Sequence, residues 1–153
     1  MTFAKVKKYD KVIASILLVV LYLIYWPYNS TGGDMIEIMP ALKKMHFPNL
    51  YPRDFYLNFN STLGFHERSF YLYFLHYIGG IHAIVLFTLY LFCLFFFCFG
   101  LISLTNIFNG SIGLQFILAL IILVPLKYTA VGANELFYAM PTPAILSKTL
   151  GLW

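Results

Sequence analysis

Residues 69–126 read SFYLYFLHYIGGIHAIVLFTLYLFCLFFFCFGLISLTNIFNGSIGLQFILALIILVPL and contain no Asp, Glu, Lys or Arg. Across the whole chain, 61% of the residues are hydrophobic and 10% are charged. A soluble domain has about 25% charged residues, so water is not the main solvent for this stretch. The composition predicts an all-α fold of the polytopic helical membrane class, with the lipid bilayer as its surroundings.

Basic residues cluster at the start of the chain, where Lys5, Lys7, Lys8 and Lys11 directly precede an apolar run over 12–26. This placement is the positive-inside signal, and it predicts a cytoplasmic N-terminus. A nucleic-acid-binding module needs a basic face with stacking aromatic residues, whereas the aromatic residues of this chain lie in apolar runs. The charge pattern therefore argues against nucleic acid as a partner.

Apolar runs and turn residues divide the chain into segments. Residues 69–104 are too long for one crossing of a ~30 Å hydrocarbon layer and too short for two, and Gly79-Gly80 offers a break. We expect a basic cytoplasmic tail (1–11), a first span (12–27), an outer loop with interfacial helices (28–80), spans at 81–104 and 112–126, a second outer loop (127–143) and an incomplete fourth segment (144–153). That last segment is too short to cross a membrane, which indicates the N-terminal part of something larger.

The first outer loop contains an apolar rhythm that predicts a short helix along the membrane surface. The rhythm consists of Met35, Ile38, Leu42 and Met45, with two lysines set between them. This spacing is typical of an amphipathic helix. Pro40 should either kink that helix or mark its start.

Two carboxylates stand at the beginning of this helix. Asp34 and Glu37 follow the first predicted span closely, and carboxylates at a membrane surface can act as a general base or bind a cation. Asp34 after Gly32-Gly33, with Glu37 three residues on, is also typical of a helix N-cap with its capping-box partner. Residue types alone favour the cap, and one residue can serve both roles.

Further polar groups of the loop have two interpretations each. Arg53-Asp54, after Tyr51-Pro52, is favoured as a turn with local charge pairing over an anion-contacting site near the headgroups. His66-Glu67-Arg68 is either a solvated helix start or a phosphate contact through Arg68. The four histidines, at 46, 66, 76 and 82, include no i, i+4 pair, so interfacial hydrogen bonding is favoured and no metal site is predicted.

The order of these features resembles the N-terminal part of C-type (GT-C) membrane glycosyltransferases. The likeness lies in the Lys-flanked first span, the loop GGDMIEIMPALKKMHFPNLYPRDFY (32–56), the interfacial helix, and the returning spans followed by VGANELFYAMPTPAILSKTLGL (131–152). It is shared with uncharacterised multi-span bacterial membrane proteins, which implies the bacterial inner (plasma) membrane.

The resemblance also implies an activity, namely transfer of a sugar from a polyprenyl-phosphate-linked donor. It implies Asp34 as base or metal-linked acid, with Glu37 and Asp54 as possible second acids. Candidate substrate contacts are Arg53 and Arg68, which suit a lipid phosphate at headgroup depth, and His66. The alternative hypothesis is a non-catalytic small membrane subunit that packs against partner helices. A transporter is disfavoured because 69–126 holds no ionisable residue apart from His76 and His82.

Overall fold

The computed structural model describes residues 8–28, 35–54, 57, 69–105 and 111–123. Within these ranges the regular structure is all helical, as the composition predicts. Five helices follow one another: α1 (Lys8–Tyr25), α2 (Met35–His46), α3 (Ser69–Tyr77), α4 (Ala83–Thr105) and α5 (Ile112–Leu123).

The larger core lies between α1, α4 and α5. One stripe of α1 is buried at every fourth position, and it continues to Trp26 just past the helix end. Residues four apart share one face of a helix, so this stripe turns inward as a unit. It consists of Ala14, Leu18, Tyr22 and Trp26. The residues of α4 and α5 that complete the core are Tyr90, Cys93, Leu94, Phe97, Cys98, Leu101, Ile102, Ala119 and Leu123.

Helices α1 and α4 run antiparallel. The ring of Tyr28, three residues after α1, has its centroid 5.2 Å from that of Phe87 and 5.1 Å from that of Tyr90. The C-terminal end of α1 therefore lies beside the first turns of α4, while the two helices pack along their lengths. At the far end of α4, the buried hydroxyl of Thr105 lies 2.9 Å from the Ile102 carbonyl oxygen and 3.3 Å from that of Gln115, which links α4 to α5.

A second, smaller core joins α2, α3 and the start of α4. Its buried members are Ile38, Leu42, Tyr71, Leu75 and Leu86. The predicted amphipathic helix is thus present as α2, with Ile38 and Leu42 on its buried face. Pro40 lies inside α2 and does not mark its start. Because proline has no N–H, the carbonyl of Ile36 lacks its usual helical donor.

The connection between α3 and α4 breaks the helix at the two glycines. Gly79 has φ +75°, a left-handed conformation that glycine adopts without steric cost. Helix α3 ends at Tyr77 and α4 begins at Ala83, so five residues (78–82) form the connection. The break at Gly79-Gly80 that the sequence predicts within residues 69–104 is therefore present.

One helix in the described ranges, α4, is long and apolar enough to cross a membrane. It coincides with the expected second span at 81–104. Helix α5 is apolar but has 12 described residues, and the first turn of α1 carries Lys8, Asp10 and Lys11. Length and composition thus identify one of the three expected spans.

Apolar side chains also cover the outer surface of the larger bundle. On α1 the exposed aliphatic residues are Ile13, Ile16, Leu17, Val20 and Ile24. On α4 they include Ile84 and Phe92, and on α5 they are Leu114, Ile117 and Ile121. All three helices are therefore apolar on their inner and outer faces.

Candidate functional site

Two histidines meet where α2 and α3 end. His46 is the last residue of α2 and His76 the last but one of α3. Their Nδ1 atoms lie 3.1 Å apart, and their ring centroids are 4.3 Å apart with the planes inclined at 62°. Since the nitrogens are closer than the ring centres, the two Nδ1 edges face each other.

Packing of the smaller core brings these rings together. Leu42 and Leu75 are fully buried, and both belong to the α2–α3–α4 core. His46 follows Leu42 by one helical turn on the same face, and His76 is the next residue after Leu75. The pair is therefore fixed by the register in which α2 docks on α3.

The carbonyl oxygen of Leu42 indicates which of the two facing nitrogens carries the proton. His46 Nδ1 is also 3.3 Å from the Leu42 carbonyl oxygen, which can only accept a hydrogen bond. The network therefore assigns the N–H to Nδ1 of His46, with Nδ1 of His76 as acceptor and Nε2 of His76 protonated. Both histidines are half-buried, so the pair is partly accessible to solvent.

The last turn of α2, which carries His46, is basic. Lys43 and Lys44 lie in the last turn of α2, where the helix dipole favours positive charge. His82 is exposed and lies near the turn at Gly79. The described residues contain no cluster of three or more His, Cys, Asp or Glu arranged to hold a metal ion.

The Arg53-Asp54 pair forms the turn that its sequence favours. The Asp54 amide donates a hydrogen bond to the Tyr51 carbonyl at 3.2 Å, and Tyr51 has φ 57°. Asp54 Oδ1 accepts a hydrogen bond from the Leu57 amide at 2.9 Å. Both Arg53 and Asp54 are exposed.

The other predicted site residues are only partly covered by the described structure. Glu37 lies in the first turn of α2, but its side chain is outside the described part. Asp34, His66 and Arg68 lie outside the described residues. Their catalytic and substrate-binding roles stay predictions.

Buried tyrosines line the junction of the two cores. Tyr28 packs against both cores, and its hydroxyl is buried without a hydrogen-bond partner among the described residues. Burial raises the pKa of Tyr28, and it raises the pKa of Tyr71 well above its usual range. Both phenols are therefore held neutral.

Sequence reasoning missed the histidine pair because His46 and His76 are 30 positions apart. The available signal was indirect, since each histidine follows a buried leucine of an amphipathic helix. Comparison with known proteins gives no match, because no family model, curated protein or solved structure is similar enough to this chain to indicate a relationship.

Proposed function

We propose that this protein is an integral membrane protein of the bacterial inner (plasma) membrane, with about three spans built on α1, α4 and α5. The observation that carries this proposal is the apolar outer surface of the bundle. Ile24 is 70% exposed, Ile84 69% and Ile121 58%. Leaving such area in water costs about 25 cal/mol per Å², a cost that is absent in hydrocarbon.

The orientation we propose has the N-terminus in the cytoplasm and α2 and α3 at the outer face. The lysines at the start of the chain support it through the positive-inside rule. The antiparallel arrangement of α1 and α4 fits two successive spans, which must run in opposite directions, with the segment between them on one side of the membrane. In this orientation the histidine pair and the turn at Asp54 belong to the outer side.

The reaction we propose is sugar transfer from a polyprenyl-phosphate-linked donor, with Asp34 as base or metal-linked acid. Two packing contacts with α4, one before and one after the segment that carries Asp34, support this role. Tyr28 packs on Phe87 and Tyr90, and Ile38 lies in the same core as Leu86. Tyr28 and Ile38, which flank the segment with Asp34 and Glu37, therefore both lie beside the first turns of α4.

The test is donor turnover in membranes that contain the native protein. We expect Asp34→Asn to lower release of polyprenyl phosphate from polyprenyl-phosphoglucose and polyprenyl-phosphomannose by about 100-fold or more, the usual size of a general-base effect. Asn is as good an N-cap as Asp, so the helix start is preserved. Asp10→Asn removes a carboxylate from the first turn of α1 and should leave turnover unchanged. Full turnover in Asp34→Asn would exclude the catalytic role.

A second candidate function is a non-catalytic subunit that packs against partner helices. The continuous outward stripe of α1, which includes Ile13, Leu17 and Ile24, favours it because such a stripe fits another apolar helix as well as lipid. An antibody against the 28–68 loop distinguishes the two. A native product several times larger than 17.6 kDa supports the transferase, and a product of 17.6 kDa supports the subunit.

A further inference from the structure

The two histidine nitrogens are spaced like two ligands of one metal ion. Zn²⁺ binds histidine nitrogen at about 2.0–2.1 Å. Two nitrogens at that bond length and 3.1 Å apart subtend about 98° at the metal, between the octahedral and tetrahedral angles. We propose that His46 and His76 bind one divalent transition-metal ion of the Zn²⁺, Ni²⁺ or Cu²⁺ class through their Nδ1 atoms, and so join α2 to α3.

The surrounding backbone favours a cation at this point. His46 ends α2 and His76 nearly ends α3, so the C-terminal ends of two helices converge on the pair. Each C-terminal end carries roughly half a negative charge from the helix dipole. Lys43 and Lys44 oppose the metal, but Lys43 is exposed and water screens its charge.

Metal binding requires a change of tautomer at His46. In the metal-free pair, the N–H of His46 Nδ1 lies toward both His76 Nδ1 and the Leu42 carbonyl. On metal binding, His46 releases this proton from Nδ1 to water and gains one at Nε2, which frees the Nδ1 lone pair of His76, and both rings turn so that the two lone pairs meet at the metal. Both rings stay neutral, which is the form that binds borderline transition metals.

The proposed metal site leaves coordination positions open to solvent. Among the described residues no third His, Cys, Asp or Glu completes a metal-binding group, so this part of the chain supplies two ligands. Both rings are half-buried, and water or an external ligand can occupy the remaining positions. Such a site exchanges its metal and binds more weakly than a closed structural site. This proposal is independent of the proposed sugar transfer.

The test is Zn²⁺ binding to the purified full-length chain in detergent, measured by calorimetry with ZnCl₂ alone. We expect one Zn²⁺ per chain. His46→Gln and His76→Gln should each weaken binding by about tenfold or more, and the double variant should lose little beyond either single one, because one remaining ligand holds the ion poorly. His82→Gln, which changes an exposed histidine near the α3–α4 turn, should bind as the unchanged protein does.

Two outcomes would overturn the proposal: no stoichiometric Zn²⁺ binding, or equal binding by His46→Gln and the unchanged protein. Far-UV circular dichroism identifies a variant that has lost its helices. His76→Cys separates loss of a metal ligand from loss of the folded structure, because a cysteine thiolate also binds zinc. This variant should keep one metal ion and show thiolate-to-metal absorption with Co²⁺, whereas a Cys variant without that absorption would contradict the assignment of His76 as a ligand.

Discussion

The backbone amide of Gly80 donates a hydrogen bond to the carbonyl oxygen of Leu75 at 2.7 Å. The Gly79 amide donates a second bond to the His76 carbonyl at 3.3 Å, and Gly79 has φ +75°. This pair of bonds is the Schellman motif, which closes a helix by satisfying its last carbonyls. Helix α3 therefore has a defined end, set by two successive glycines.

Gly80→Ala should destabilise the protein by about 1–3 kcal/mol, because the new methyl group overpacks this end. A Cβ at Gly80 would lie 3.0 Å from both the Cβ and the carbonyl oxygen of Leu75, which is fully buried. The free energy of unfolding in detergent measures the effect.

Gly113→Ala is the matched control for this substitution. Gly113 lies in α5, and its added Cβ would meet nothing closer than the Ser111 hydroxyl at 3.9 Å. We expect stabilisation of about 0.5–1 kcal/mol, because alanine favours a helix more than glycine does. Equal stability of the two variants would contradict the close contact at Gly80.

Thr105→Val should lower the free energy of unfolding by about 1 kcal/mol, since it removes a buried hydroxyl that lies between α4 and α5. Thr105 Oγ1 is close to carbonyl oxygens on both helices. Thr88→Val is the control, because Thr88 donates to the Ile84 carbonyl at 2.8 Å within α4 and is exposed. That change should stay within about 0.5 kcal/mol. A larger loss in Thr88→Val than in Thr105→Val would argue against the interhelical role.

Alkaline pH should weaken the smaller core through its tyrosines. Burial raises the pKa of Tyr71 in the folded state, while an unfolded tyrosine ionises at about pH 10. The stability contributed by the neutral phenol is therefore complete below about pH 10, and it is lost as pH rises toward the folded-state pKa.

Unfolding measured from pH 8 upward should show this decline, and Tyr71→Phe should flatten it. Tyr73→Phe changes an exposed tyrosine of the same helix and serves as the control. A decline that is identical in Tyr71→Phe and in the unchanged protein would show that other groups cause it.

Cysteine labelling in intact cells tests the proposed orientation. The two native cysteines, Cys93 and Cys98, are free and buried, so they give little background. A membrane-impermeant maleimide should label Lys43→Cys, which is exposed on α2, in intact cells. It should label Tyr9→Cys, at the 80%-exposed start of α1, only after permeabilisation. The reverse pattern would overturn the orientation.

Local sequence patterns predicted much of the helical structure. The rhythm of Ile38 and Leu42 predicted α2, and Gly79-Gly80 predicted the break before α4. Pro40 is less easily predicted because two effects compete. A proline inside a helix costs about 3 kcal/mol, whereas full burial of Ile38 and Leu42 contributes roughly 1.5–3 kcal/mol each. Tertiary packing therefore keeps the helix continuous, and a sequence alone does not reveal that packing.

The candidate site was predicted less completely than the fold. The turn at Asp54 follows from local chemistry, since proline and charged residues near Tyr51 favour it. The contact between His46 and His76 depends instead on the register of α2 against α3, and the periodicity of either helix alone does not determine that register. The role of Asp34 is a chemical property that no local pattern distinguishes from an N-cap.

The Schellman turn also marks the place where the protein can hinge. Helix α3 is tied to α4 by a short connection with a fixed backbone, and Leu75 and Leu86 share one core. Helix α2 is held there by the packing of Ile38 and Leu42 and by one contact between rings. Because α2 and α3 pack on each other more extensively than α3 packs on α4, we expect local opening to release α2 and α3 together, with the turn at 78–82 as the hinge.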